Sequence, residues 1–199
     1  MSDAVTILIE DYDYFRQALK EADTPRNRRS YVRAAFAAME GLVDWVRQKA
    51  ADATCTNTEI EGLNITRLQL LGLDDYRISK TGKIESSNRR TPFLNYTAFV
   101  LRSLAEELEI DFEEHISDAG WSKLQIAVRA RDRLTHPKTA SELSVSDEEI
   151  EATEIGILWV FNSMLGIFYE LSQSHPDLPP FPTFNDSEQS GGGDAGLAP

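Results

Sequence analysis

The segment Arg129–Lys138, RARDRLTHPK, places three arginines, an aspartate and a histidine within ten residues, with the histidine fixed before a proline. An imidazole titrates near neutrality and can move a proton. A guanidinium keeps its charge and presents a donor fork that matches a phosphate or a carboxylate. At about 100° per helical residue, Leu124, Val128, Arg131 and Thr135 fall within roughly 60° of one another, with Trp121 and Ala127 beside them. Arg129 and Arg133 point to the other side. Arg131 therefore lies on an apolar stripe, where its charge must find water, an anion or a carboxylate. Pro137 disfavours the α conformation at His136, so the helix should stop near Thr135 or His136 and swing the imidazole off the regular path. Two readings are open on spacing alone. Arg131 and His136 can converge on one anionic group, or Arg131 can pair with a buried carboxylate while His136 caps carbonyls at a helix end whose dipole favours cations by about 0.3–1 kcal/mol each.

The elements that would position this segment follow from apolar spacing. A first helix over about 4–22 carries Val5, Leu8, Ile9, Tyr12, Phe15 and Leu19 at helical intervals. Asp23-Thr-Pro25 breaks it, and a second helix over about 26–53 carries Tyr31, Ala35, Phe36, Met39, Leu42, Val43 and Val46. A short apolar piece, 65–73, reads as a helical turn or two. Tyr76, Ile78 and Ile84 flank Lys80-Thr-Gly-Lys83, which predicts a small β-hairpin near 76–84. Thr91 as N-cap and Pro92 in the first turn open a third helix. Asp118 is the expected N-cap of the helix bearing Trp121 through Leu134, and Ser146-Asp-Glu-Glu149 forms a capping box for the last helix. That last helix is apolar on most sides, which predicts a central position or a subunit contact. The fold class is all-α, a bundle of about five helices with the hairpin as an insert, spanning 1–174. Residues 175–199 hold five of the eight prolines and an acidic Gly/Ser stretch, and are expected to be a largely disordered tail.

Charge is unevenly distributed. The net charge is −13, yet residues 1–138 carry all twenty basic residues against twenty-two acids, while 139–199 carry eleven acids and no Lys or Arg. The basic residues cluster as Arg26/Arg28/Arg29/Arg33, as Arg77/Lys80/Lys83/Arg89/Arg90, and as Lys123/Arg129/Arg131/Arg133/Lys138. Such local fields could steer a phosphate backbone despite the total, or could be solvated faces. The single cysteine, Cys55, excludes an intrachain disulfide and suits a reducing compartment. The opening MSDAVTILIEDYDYF lacks the basic n-region of a signal peptide, and no apolar run reaches membrane-spanning length, so a cytoplasmic protein without membrane contact is expected. His115 and His175 stand apart from His136 and Cys55, so no metal or other cofactor is expected; no Gly-rich phosphate loop is present either.

Arg131-Asp-Arg-Leu-Thr-His136 resembles the R-x4–6-H motif of the HEPN superfamily, in which a polar residue, here Asp132, commonly follows the arginine. The order of elements resembles that superfamily too: an all-α bundle with the motif near the end of one helix, ahead of the final helix. The resemblance is residue by residue only over 131–136 and architectural over about 1–172. It implies a metal-independent endoribonuclease acting as a toxin or in phage defence, a homodimer in which two copies of the motif face one cleft, and restraint by an antitoxin partner. It implies catalytic roles for Arg131 at the phosphate, His136 in proton transfer and Asp132 in orienting one of them, with Arg129, Arg133 and Lys138 contacting the RNA backbone. The alternative it leaves is a non-catalytic dimer that binds a nucleotide or a partner protein.

Overall fold

The computed structural model describes residues 4–55, 76–78, 84–86, 92–109 and 118–182. Five α-helices account for most of them: α1 (Ala4–Glu21), α2 (Pro25–Cys55), α3 (Phe93–Glu107), α4 (Ala119–Thr135) and α5 (Asp147–Ser174), with a 3-10 turn, Ala140–Leu143, between the last two. The architecture is all-α. Two three-residue strands, Tyr76–Ile78 and Ile84–Ser86, pair antiparallel with Ile78 opposite Ile84; the residues that join them, and the apolar piece at 65–73, lie outside the described residues.

Helix α2 is the axis of the bundle. Its 31 residues span about 45 Å at 1.5 Å per residue. Tyr31, Ala35, Phe36, Met39, Leu42, Val43 and Val46 are all buried, as their spacing predicts, because one stripe of a long helix can serve several neighbours. Helix α1 folds back on α2 through Val5, Ile9 and Tyr12. The turn between them is closed by side chains rather than by glycine. The Thr24 hydroxyl accepts from the Asn27 amide N–H at 3.2 Å, capping α2. The Asn27 side chain donates to the carbonyls of Ala18 and Ala22 at 3.0 and 2.9 Å, satisfying the open end of α1.

Helices α4 and α5 form an antiparallel pair laid against α2. Asp118 caps α4 by accepting from the Trp121 N–H at 2.8 Å, and its other oxygen accepts from the Trp159 indole of α5, also at 2.8 Å. Ser146 and Glu149 complete the capping box of α5. Helix α3 has Pro92 itself as N-cap, in extended conformation and without a side-chain cap bond; Thr91 lies outside the described residues. The chain beyond α5 is still part of the packed body. Leu178 and Phe181 lie against the core, and the Phe181 ring meets Trp45 edge-on at 6.0 Å, so packing continues past the boundary expected at residue 174. Residues 183–199 lie outside the described residues.

Over Asp147–Gln173, α5 is long and apolar enough to cross a membrane by length and composition alone, which a count of uninterrupted apolar runs does not register. Half of its most apolar 18-residue stretch is buried within the bundle. Its inner side packs on α2 and α4 through Ile157, Val160, Met164 and Phe168, while Leu158, Leu165 and Tyr169 stand exposed on the outer side.

Candidate active site at the end of helix α4

The face that α4 buries is made by Leu124, Ala127, Ala130 and Leu134. It is rotated by roughly 70° from the stripe that Leu124, Val128, Arg131 and Thr135 predict. Two alanines are the reason: they carry little apolar weight in a periodicity, yet they let neighbouring helices approach. Val128 and Arg131 consequently flank the buried face and Thr135 is exposed, its hydroxyl donating back to the Arg131 carbonyl at 2.8 Å.

Arg131 sits at the rim of the core with 27% of its side chain exposed, and its charge is satisfied there by three groups. One terminal nitrogen is ion-paired with Glu40 of α2. The other donates to Asp132 Oδ1 at 2.9 Å. The guanidinium carbon lies 5.5 Å from the centroid of the Phe36 ring, also on α2, within cation–π range. Phe36 and Glu40 are four apart, so one turn of α2 presents ring and carboxylate side by side. Phe93, at the start of α3, supports the Phe36 ring edge-on at 5.6 Å.

His136 ends the helix as Pro137 requires. Its backbone departs to φ −128°, ψ 58°, while its N–H still donates to the Asp132 carbonyl at 3.1 Å. The imidazole is exposed and makes no hydrogen bond among the described residues. Arg129, Asp132 and His136 follow one another at three and four residues, and all three are exposed; this is one outward face of α4. Asp132 therefore joins the two halves of the motif, touching Arg131 inward and sharing its face with His136.

The remaining basic residues divide by task. Arg129 and the Lys138 ammonium make no ion pair among the described residues and stay exposed beside the motif. Arg133, expected to touch an RNA backbone, donates to the carbonyls of Glu142 and Ser144 at 2.8 and 2.7 Å and to Glu149 Oε1 at 2.5 Å. Of the first basic cluster, Arg26 is exposed, whereas the other three arginines are bonded to the protein's own backbone. Arg28 donates to the Val145 carbonyl at 3.0 Å, Arg29 to that of Leu143 at 3.4 Å, and Arg33 to that of Leu134 at 3.0 Å. Arg28 is itself held by Asp23 and Asp147, and it keeps the Asp23 carboxyl below the usual carboxylate range. Four arginines from two helices thus anchor the end of α4 and the connection that carries His136. A loop whose carbonyls are taken up by fixed cations is a rigid mount for a side chain.

Sequence reasoning missed Glu40 and Phe36. The signal is there in retrospect: Glu40 is the only charge in Ala34–Val43, AAFAAMEGLV, the most deeply packed stretch of α2. Among the described residues no three His, Cys, Asp or Glu side chains gather as a metal set, and His115 lies outside them. No protein-family model matches the chain, and no curated protein or solved structure matches it.

Proposed function

We propose that the end of α4 is the active site of a metal-independent endoribonuclease of HEPN type, acting as a toxin or phage-defence effector and completed when two copies of the chain bring their motifs to one cleft. The observation that carries this reading is the contrast within six residues at the helix end: a guanidinium held at the rim of the core and an exposed imidazole on an anchored helix end, with Asp132 bonded to the first and sharing a face with the second. RNA cleavage by this set needs no cofactor. A base removes the proton of the 2′-hydroxyl, O2′ bonds to phosphorus, the P–O5′ bond breaks, and an acid protonates O5′, leaving a 2′,3′-cyclic phosphate and a 5′-hydroxyl. One imidazole from each copy supplies the base and the acid. Arg131 binds the phosphate and stabilises the charge that develops on it. Asp132 orients Arg131, and Arg129 and Lys138 contact the RNA backbone. Arg133 has a different task, holding the loop that bears His136. An antitoxin partner would keep such an activity in check within a cytoplasmic setting.

A second reading has its own support. Arg131 is already neutralised by two carboxylates of its own chain, which suits a non-catalytic dimer that binds a nucleotide or a partner protein. Induction of the wild type and of Arg131→Ala/His136→Ala in cells separates the two. Arrested growth with fragmented RNA only in the wild type supports the nuclease; intact RNA and equal growth for both, with the dimer preserved, favour the binding module.

A further inference from the structure

The Arg131 guanidinium has two terminal nitrogens, and both are occupied by carboxylates while a ring lies close to its centre. The cluster carries one formal positive charge and two negative ones. A phosphodiester takes an arginine through parallel N–H bonds along one edge of the fork, and here that edge is shared with Glu40 or Asp132. An approaching anion would meet a site of the same net sign as itself. Arg131 as folded is therefore closed to phosphate.

The two carboxylates differ in how they can yield. Asp132 is the next residue in the chain, on the same rigid helix, with a short side chain directed by the backbone. Glu40 reaches from a different helix on a longer side chain, and 43% of that side chain is exposed. It can rotate into water without burying its charge, so leaving Arg131 costs it little. Phe36 and Asp132 would still hold the guanidinium in place while one edge of its fork is freed.

We propose that Glu40 is a self-occupying anion: its carboxylate fills the phosphate seat of Arg131 in the resting protein and must swing out before a phosphate group can bind. The seat's ligand is a phosphate group, free or within a nucleic-acid backbone. The proposal rests on the assignment of Arg131 as the phosphate residue, but its test reads binding and not cleavage. Inorganic phosphate is titrated into the full-length protein, followed by the NMR signals of the Arg131 side-chain N–H and the Glu40 side-chain carboxyl carbon. In the wild type both signals should move together with one affinity. Glu40→Gln, which removes the charge and keeps the shape, should bind phosphate about five- to tenfold more tightly, the fold expected from removing one like charge at contact distance near a surface. Arg131→Ala should abolish the response in either background. Equal or weaker binding by folded Glu40→Gln would overturn the proposal. So would a wild-type titration in which Arg131 responds and the Glu40 carboxyl stays still, a result that does not depend on any variant folding. A 2′-deoxy dinucleotide, which cannot be cut by attack of a 2′-hydroxyl, should repeat the pattern if the seat accepts a nucleic-acid backbone; phosphate alone binding would confine it to the free ion. Tighter binding by Glu40→Gln with no RNA cleavage by any form would keep the closed seat and dismiss the nuclease.

Discussion

Arg131 remains charged at the edge of an apolar core because Glu40, Asp132 and Phe36 replace the water it gives up, and its exposed quarter leaves a path for an exchange of partners. Arg133, two residues on, has the opposite character: its three bonds are to groups that cannot leave, two backbone carbonyls and the capping-box glutamate. Charge-assisted bonds of this kind contribute about 1.5–3 kcal/mol each where well buried, and Arg133 and Glu149 are only partly buried, so Arg133→Ala should cost about 1–2 kcal/mol in all. Thermal unfolding would register the loss. Hydrogen exchange should place it at residues 138–145, leaving the packing of α1 on α2 unchanged. Two buried phenols give a pH dependence. Burial pushes the hydroxyls of Tyr12 and Tyr31 above the ordinary tyrosine value, so the folded state keeps protons that the unfolded state releases. That contribution is complete below about pH 10, the ordinary tyrosine value, and is lost as pH rises from there toward the raised folded values. Tyrosinate absorbance should show these two ionising at higher pH than exposed tyrosines, and Tyr31→Phe should flatten the loss of stability above about pH 10.

At the scale of elements, the α4–α5 pair is fixed by a close approach at Gly120. A Cβ there would stand 2.2 Å from Trp159 Cδ1, and that ring cannot move aside without breaking its bond to Asp118. Gly120→Ala gains helix propensity of up to about 1 kcal/mol, but overpacking costs about 1–3 kcal/mol; a net loss of about 1–2 kcal/mol in denaturant unfolding is expected. What was legible at this scale divides along physical lines. The caps Asp118 and Ser146/Glu149 could be read because capping is local, decided by side-chain type within four residues. The face of α4 was misread because Ala127 and Ala130 mark a contact by what they omit. The work of Arg28, Arg29 and Arg33 was out of reach, since their acceptors lie more than a hundred residues away. Glu40 was legible only as an isolated charge in an apolar run, with nothing local to name Arg131 as its partner.

Over the whole molecule, the uneven charge gains a structural meaning. Arginines of α2 and of α4 grip the connection into an acidic C-terminal helix, so among the described residues Arg28, Arg29, Arg33 and Arg133 are spent on the protein's own scaffold. Few cations remain beside the motif: among the described residues Arg129 and Lys138 are the exposed ones there. A nuclease with only these cations at its motif would bind RNA weakly through its backbone and depend on two motifs meeting, so a monomeric mass at micromolar concentration would remove the proposed shared cleft. The most direct measurement is on purified protein: a labelled RNA incubated with the wild type in EDTA, with the fragment ends identified. The expected fragments end in 2′,3′-cyclic phosphate and begin with 5′-hydroxyl, and none form with folded Arg131→Ala or His136→Ala. Intact RNA with the dimeric wild type, or fragments formed equally by the two variants, would contradict the proposed nuclease.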